Sequence, residues 1–196
     1  TIFADVTDRD SFWAAISLKL QKRYNLGAVK DIIVGGDGAG WVKEGCDYVN
    51  GRFQLDRYHL NRELCTALGY ASETKAKIWQ ACERGNSEAG LEIMADALKS
   101  SHGEQTKKLL RAYHYLKNNI SGLGDYRLTS GDVNKELRRT GAIEGNVDKL
   151  IVRRMKNQGM SWSLQGIRRM LWLRINIREG TLANCLGSCR CETAFI

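Results

Sequence analysis

Three acidic positions follow one another along this chain in settings that suit metal-dependent chemistry. They are Asp37 in "IIVGGDGAGWV", Asp56 in "FQLDRYHLNREL" and Glu144 in "TGAIEGNVDKL". Asp37 stands on a glycine-rich step directly after an apolar, β-branched run, where a buried strand is expected to break at its carboxyl end. Open α/β sheets bind ligands at that end, and flanking glycines let a ligand approach the backbone. The plainer reading of Asp37 is a turn former, since Asp-Gly is a common turn dipeptide. Asp56 is followed by His59, with Glu63 one helical turn further on to orient the imidazole. Asp56 also suits a helix N-cap, and the two roles are compatible. Glu144 falls in the first turn of a predicted helix, where the dipole alone favours a carboxylate; Asp148, one turn on, ranks second for the same role. Brought together, carboxylates in this order would hold two magnesium ions about 4 Å apart, an arrangement that activates a nucleophile and stabilises a leaving oxygen in phosphoryl transfer.

The elements that would position these residues alternate at first and then turn helical. "TIFADV" reads as a short strand, and Asp10 as the N-cap of a helix whose Phe12, Ile16 and Leu20 share one face. Strands over Ile32–Val34 and Phe53–Leu55 follow, and the helix between the first two strands predicts a parallel pair in an α/β sheet. From Leu60 to Leu123 the pattern is helical throughout. "SETKAKIWQACERG" opens on a serine cap, "SEAGLEIMADALKS" follows, and "SHGEQTKKLLRAYHYLKNN" opens on a capping box of Ser101 with Glu104. "SGLGDYRLTSGD" reads as a loop. Ile143, Val147, Leu150, Ile151 and Met155 then form one helical stripe. His102 and His114 read as surface residues of the helical stretch.

The formal charge of +8 is concentrated late in the chain: Arg127 to Arg178 hold 12 Lys/Arg against 4 Asp/Glu. Such a gradient suits a nucleic-acid face, though an ordinary basic surface fits as well. Arg153, Arg154 and Lys156 lie at the end of the predicted helix, and Arg168, Arg169 and Arg174 on the next, with Trp162 and Trp172 among them. Aromatics between basic residues suit a nucleic-acid strand, while tryptophan at such spacing also suits a core. No apolar run is long enough to span a membrane and no signal peptide is visible, so the expectation is a cytoplasmic protein without a membrane partner. Cys46, Cys65 and Cys82 read as small core residues. Cys185, Cys189 and Cys191 in "CLGSCRC" lack the partner pair that a zinc site needs.

The segments "GDGAGWVKEG", "FQLDRYHLNREL" and "TGAIEGNVDKLIVRRMKNQGMSWS", in this order, resemble the ISLre-type transposases of bacterial insertion sequences, from residue 1 to about Leu173. The resemblance implies a helix-rich α/β fold: a partial ribonuclease-H-like core with an all-helical insertion before the final catalytic helix. On that basis residues 1–59 are the partial core, 60–126 the insertion, 127–178 the basic helices that complete the core, and 179–196 an uncertain tail. Asp37 and Glu144 match the second aspartate and the final glutamate of an Asp-Asp-Glu site for Mg2+ or Mn2+. Asp56 and His59 match a C/D-x-x-H signature of related transposases, a supporting element near the DNA. The first aspartate of such sites lies upstream of the helix that here begins near Asp10, which implies that this chain is a C-terminal portion and incomplete as a catalyst. The implied partners are insertion-sequence ends and target DNA, with a homo-oligomer in the transposition complex. A ribonuclease-H-like nuclease and a non-catalytic DNA-binding remnant are the alternatives.

Overall fold

The computed structural model describes residues 2–129, 147–156 and 160–189. The chain divides into two compact units, residues 24–141 and residues 1–23 with 142–196. The unit spanning residues 24–141 holds the sheet. Its strands β1 (Ile33–Gly36) and β2 (Arg52–Leu55) pair in parallel, with Gly36 opposite Leu55. Helix α2 (Gly40–Val49) forms the crossover between them, and Asn50, in the left-handed conformation, ends it. A parallel pair therefore forms, but not the expected one, which joined residues 1–6 to the strand at Ile32–Val34 through the helix between them. That helix, α1 (Arg9–Arg23), belongs to the other unit.

Past β2 the chain enters helices α3 (Arg57–Leu68), α4 (Glu73–Glu83), α5 (Ser87–Lys99) and α6 (Glu104–Asn118). Leu55 of β2, Leu60 and Leu64 of α3, Ile78 and Cys82 of α4, Met94 of α5 and Leu109 and Leu116 of α6 bury into one core. Each such side chain contributes about 1.5–3 kcal/mol when fully buried. Gln54 stitches β2 to the segment after α6: its buried amide donates to the Gly122 carbonyl (2.8 Å) and accepts from the Tyr126 N–H (2.8 Å). Gly122 is a glycine because the sheet leaves no room, since a Cβ there would lie 3.0 Å from the Leu55 nitrogen and 2.7 Å from Phe53 Cε1. A short helix α7 (Tyr126–Thr129) follows where a loop was expected.

Several end signals resolve differently from their sequence reading. The α1 cap is Asp8, which accepts from the Ser11 N–H at 2.9 Å, so Asp10 lies inside the first turn. Ser72 does cap α4, accepting from the Lys75 N–H. Ser101 caps nothing. Its hydroxyl donates back to the Leu98 carbonyl at 2.7 Å, and Gly103 at φ +61° starts α6 instead. The same hydroxyl meets the Thr106 hydroxyl of α6 at 3.0 Å, a side-chain contact that leaves the first N–H groups of that helix uncapped.

In the other unit, residues 2–6 form no strand, correcting the reading of "TIFADV". Their backbone groups bond to side chains rather than a ladder: the Ile2 N–H to Glu179 at 2.6 Å, the Ile2 carbonyl to Lys19 at 3.0 Å, and the Val6 carbonyl to Arg168 at 2.8 Å. A π-helix (Asp148–Lys156) precedes helices α8 (Leu164–Glu179) and α9 (Leu182–Cys189). With bonds five residues apart, Leu150 and Met155 share its buried face while Val147 is exposed, so the expected 3.6-residue stripe is not kept. Ile143 lies outside the described residues. The expected tail is in part helix: α9 folds back on α8, where Thr181 donates to Asn176 Oδ1 at 2.7 Å.

Gly122→Ala is expected to lower stability by about 1–3 kcal/mol through overpacking. Gly40→Ala, with open space around its Cβ, should be neutral or stabilising by up to about 1 kcal/mol. Urea midpoints of the two variants check both.

Candidate functional site

The parallel register decides which side chains meet. Gly36 opposes Leu55, and the Asp56 N–H donates to the Gly36 carbonyl at 2.8 Å, so Asp37 and Asp56 both stand immediately past the carboxyl ends of neighbouring strands. This is where an open parallel sheet presents ligand-binding groups. The two aspartates nevertheless differ in their surroundings. Asp37 is exposed, and one oxygen accepts the Ala39 N–H at 3.0 Å, closing a tight turn through Gly38 at φ +93°. Asp56 is only 4% exposed. Its Oδ1 caps α3, accepting from the N–H groups of Tyr58 (2.8 Å) and His59 (3.4 Å). The His59 Nδ1 lies 3.6 Å from the same oxygen. Asp37 is therefore a turn former, and its carboxylate is exposed. Asp56 is a helix cap.

Glu63 is buried on α3, and its Oε1 faces Arg111 of α6 at 3.4 Å and Arg62 at 4.0 Å. Tyr115 of α6 reaches into the same corner and donates its hydroxyl to the Asp37 carbonyl at 2.8 Å. Burial, reinforced by the negative charges of Glu63 and Asp37, pushes the Tyr115 phenol up to about 12. It stays protonated and a donor throughout the neutral range. Tyr115 thus ties α6 to the Asp37 turn, a contact that spacing along the chain did not reveal. Tyr115 and Asn119 were missed because, at i and i+4 near the end of a helix, they look like ordinary surface residues; nothing in the sequence links them to Asp37.

Glu144 lies outside the described residues. Asp148 starts the π-helix, and its carboxylate is held by Arg153 at 2.6 Å. Among the described residues no group of three or more His, Cys, Asp or Glu side chains gathers closely enough to hold a metal ion. Asp37 by itself offers what a hard divalent cation uses, an exposed carboxylate with only one backbone N–H upon it.

The predicted basic residues have unequal duties. Arg174 donates to the carbonyls of Leu150 (2.5 Å) and Lys149 (2.7 Å), tying α8 to the π-helix. Arg168 pairs with Asp5 at 3.5 Å as well as bonding Val6, and Arg153 pairs with Asp148. Lys156 and Arg169 are exposed, as is Trp172 beside them on α8, whereas Trp162 turns inward and donates to the Met155 carbonyl at 2.9 Å. The Arg154 side chain lies outside what is described. Arg127, the first of the late basic residues, bonds the buried Asp125 through two nitrogens at 2.9 and 2.5 Å and holds that carboxyl below its usual range.

Stability should separate the two strand-end aspartates. Asp56→Ala is expected to cost about 1–2 kcal/mol by removing a cap, and Asp56→Asn much less, because asparagine caps nearly as well. Asp37→Asn should shift the urea midpoint little. Equal losses for Asp37→Asn and Asp56→Ala would contradict this division of roles.

The family described as "Uncharacterised protein family (UPF0236)" matches residues 3–187, past Leu173 and into α9. A UPF0236 protein of Caldanaerobacter subterraneus subsp. tengcongensis, whose name joins eleven locus designations, is 28% identical over 173 residues, which cover 87% of this chain and 36% of that protein. A second from the same organism, whose name joins four, has the same identity and coverage. A UPF0236 protein in the vanSb 3′ region of Streptococcus gallolyticus is 27% identical over 181 residues, covering 89% of this chain and 39% of its own length. The chain thus spans well under half the length of the curated relatives it matches. No solved structure matches the chain. With the match running over nearly all of its length, the chain belongs to UPF0236.

Proposed function

We propose that this chain is the C-terminal part of the catalytic domain of an ISLre-type DNA transposase, a ribonuclease-H-like enzyme that cuts DNA with water and then joins the freed 3′-hydroxyl to target DNA. The observation that carries this reading is the pair of aspartates past the carboxyl ends of two adjacent parallel strands, one capping a helix and the other exposed. The names of the relatives add support of a different kind. One protein name shared by eleven loci of a single genome is what repeated copying of a mobile element leaves behind.

In this account Asp37 is a ligand for Mg2+ or Mn2+. Glu144 is the second ligand on the resemblance alone. The bound metal would supply an activated oxygen nucleophile and stabilise the leaving oxygen. Asp56 fixes the start of α3 and so the position of His59, which supports the DNA near the reacting phosphate. Lys156 and Arg169 are exposed cations placed to meet phosphates, with Trp172 exposed to receive a base. Arg153, Arg168 and Arg174 serve mainly to hold their own unit together.

Binding of this chain to duplex DNA should weaken steeply with salt. Lys156→Ala and Arg169→Ala should each reduce the log–log slope by about 0.9. Arg174→Ala should lower thermal stability and leave the slope close to its original value. A slope changed by Arg174→Ala but not by Arg169→Ala would place the DNA face elsewhere.

Catalysis is tested in a full-length protein containing this segment, by single-turnover strand cleavage in Mn2+. Asp37→Asn and Glu144→Gln should each lower the cleavage rate by roughly three orders of magnitude or more while DNA affinity is kept or improved, since a neutral amide is a poor ligand for a hard cation and no longer repels phosphate. His59→Ala should weaken cleavage and DNA positioning together. Cleavage at the original rate by Asp37→Asn would rule out the metal role. Cutting without joining in a strand-transfer assay would favour the nuclease alternative.

A further inference from the structure

The end of α6 touches the Asp37 turn at two points and the start of α2 at a third. Tyr115 donates to the Asp37 carbonyl at 2.8 Å. The buried Asn119 side chain fills the space beside Gly38, where an added Cβ would lie 2.8 Å from its Nδ2. Lys43, just inside α2, donates to the Asn118 carbonyl at 2.5 Å. The contacts are linked, because Asn119 Nδ2 also donates to the Tyr115 carbonyl at 2.8 Å. Seen along the chain, α6 is separated from Asp37 by four other helices and a strand; in space it is the wall against which the turn is built. We infer that Tyr115 and Asn119 are positioning residues for Asp37: they hold the 37–39 turn in the one shape that keeps the carboxylate exposed and aimed past the strand ends. This rests on the reading of Asp37 as a metal ligand, and it assigns the helical region a part in the site that the motif residues alone do not suggest.

The physical reason is local. Within the turn the Ala39 N–H bonds the Asp37 side chain, and the Ala39 carbonyl accepts from the Val42 and Lys43 N–H groups of α2, which leaves the Asp37 end the less anchored. Gly38 at φ +93° gives it maximal freedom in the unfolded chain and little stiffness once folded. A carboxylate on so slight a turn needs an outside anchor to stay preorganised for a cation. The Tyr115 hydroxyl on the Asp37 carbonyl provides that anchor. The same contact means that a side chain at position 38 would collide with Asn119, whatever its effect on φ.

The test uses the 196-residue chain and Mn2+ alone, with Tyr115→Phe as the main variant because the ring, and with it the packing, is kept. Two readouts are followed by NMR: exchange of the Ala39 amide with solvent, and Mn2+-induced broadening of signals near Asp37 as a function of Mn2+ concentration. Loss of one hydrogen bond should speed Ala39 exchange by about five- to tenfold and weaken Mn2+ binding by a similar factor, with exchange of the Tyr58 amide at the Asp56 cap unchanged. Gly38→Ala should act in the same direction. Unaltered Ala39 exchange in Tyr115→Phe overturns the inference, and so does faster exchange with unaltered Mn2+ affinity. If Asp37→Asn leaves the Mn2+ broadening of the wild-type chain intact, the metal reading itself falls, by a result distinct from either of these.

Discussion

Everything proposed for this chain depends on one constraint, the parallel pairing of two four-residue strands in a register that sets Gly36 against Leu55. Parallel strands point their carboxyl ends the same way, so the residues that follow them, Asp37 and Asp56, emerge side by side. A slip of one residue would turn every side chain of one strand to the opposite face. Two short strands have little stability of their own. The register is held because β2 buries Leu55 and Gln54 against α3, α6 and the Gly122 segment, where neither a shifted side chain nor a Cβ on Gly122 would fit. The helical core is thus what fixes the sheet.

That dependence gives the carboxylates unequal characters. Asp56 is drawn into the core edge as a cap. Asp37, one strand further out, is left on a glycine turn with its side chain exposed. The chain therefore spends one aspartate on structure and keeps the other available for chemistry. The late basic segment shows the same sorting. Arg174 ties carbonyls together, while Arg168 and Arg153 answer nearby acids.

What the sequence made legible is what local chemistry decides. The two strands expected at Ile32–Val34 and Phe53–Leu55, the Asp56 cap, the Ser72 cap and the buried Cys65 and Cys82 all follow from neighbours within a few residues. The readings that failed needed partners distant in the chain. "TIFADV" has strand composition, but without a neighbouring strand to bond, its backbone groups turned to Glu179, Lys19 and Arg168. The Ser101–Glu104 pattern fits a capping box, yet the preceding helix claimed the serine hydroxyl. The crossover helix was overlooked because "GWVKEGCDYV" carries two glycines and begins without a capping side chain on Ala39. Tyr115 at the Asp37 turn was the least visible, since the contact joins residues 78 apart.

The central claim is that Asp37 is a metal ligand at the strand ends, and metal-directed cleavage of the polypeptide tests it most directly. Fe2+ loaded in place of Mg2+, with ascorbate and peroxide, generates radicals that cut the backbone beside the ion. Fragments should end near residue 37, disappear in Asp37→Asn, and be suppressed by excess Mg2+. Fragments that persist in Asp37→Asn, or that map to α8 and α9 without any near the strand ends, would contradict it.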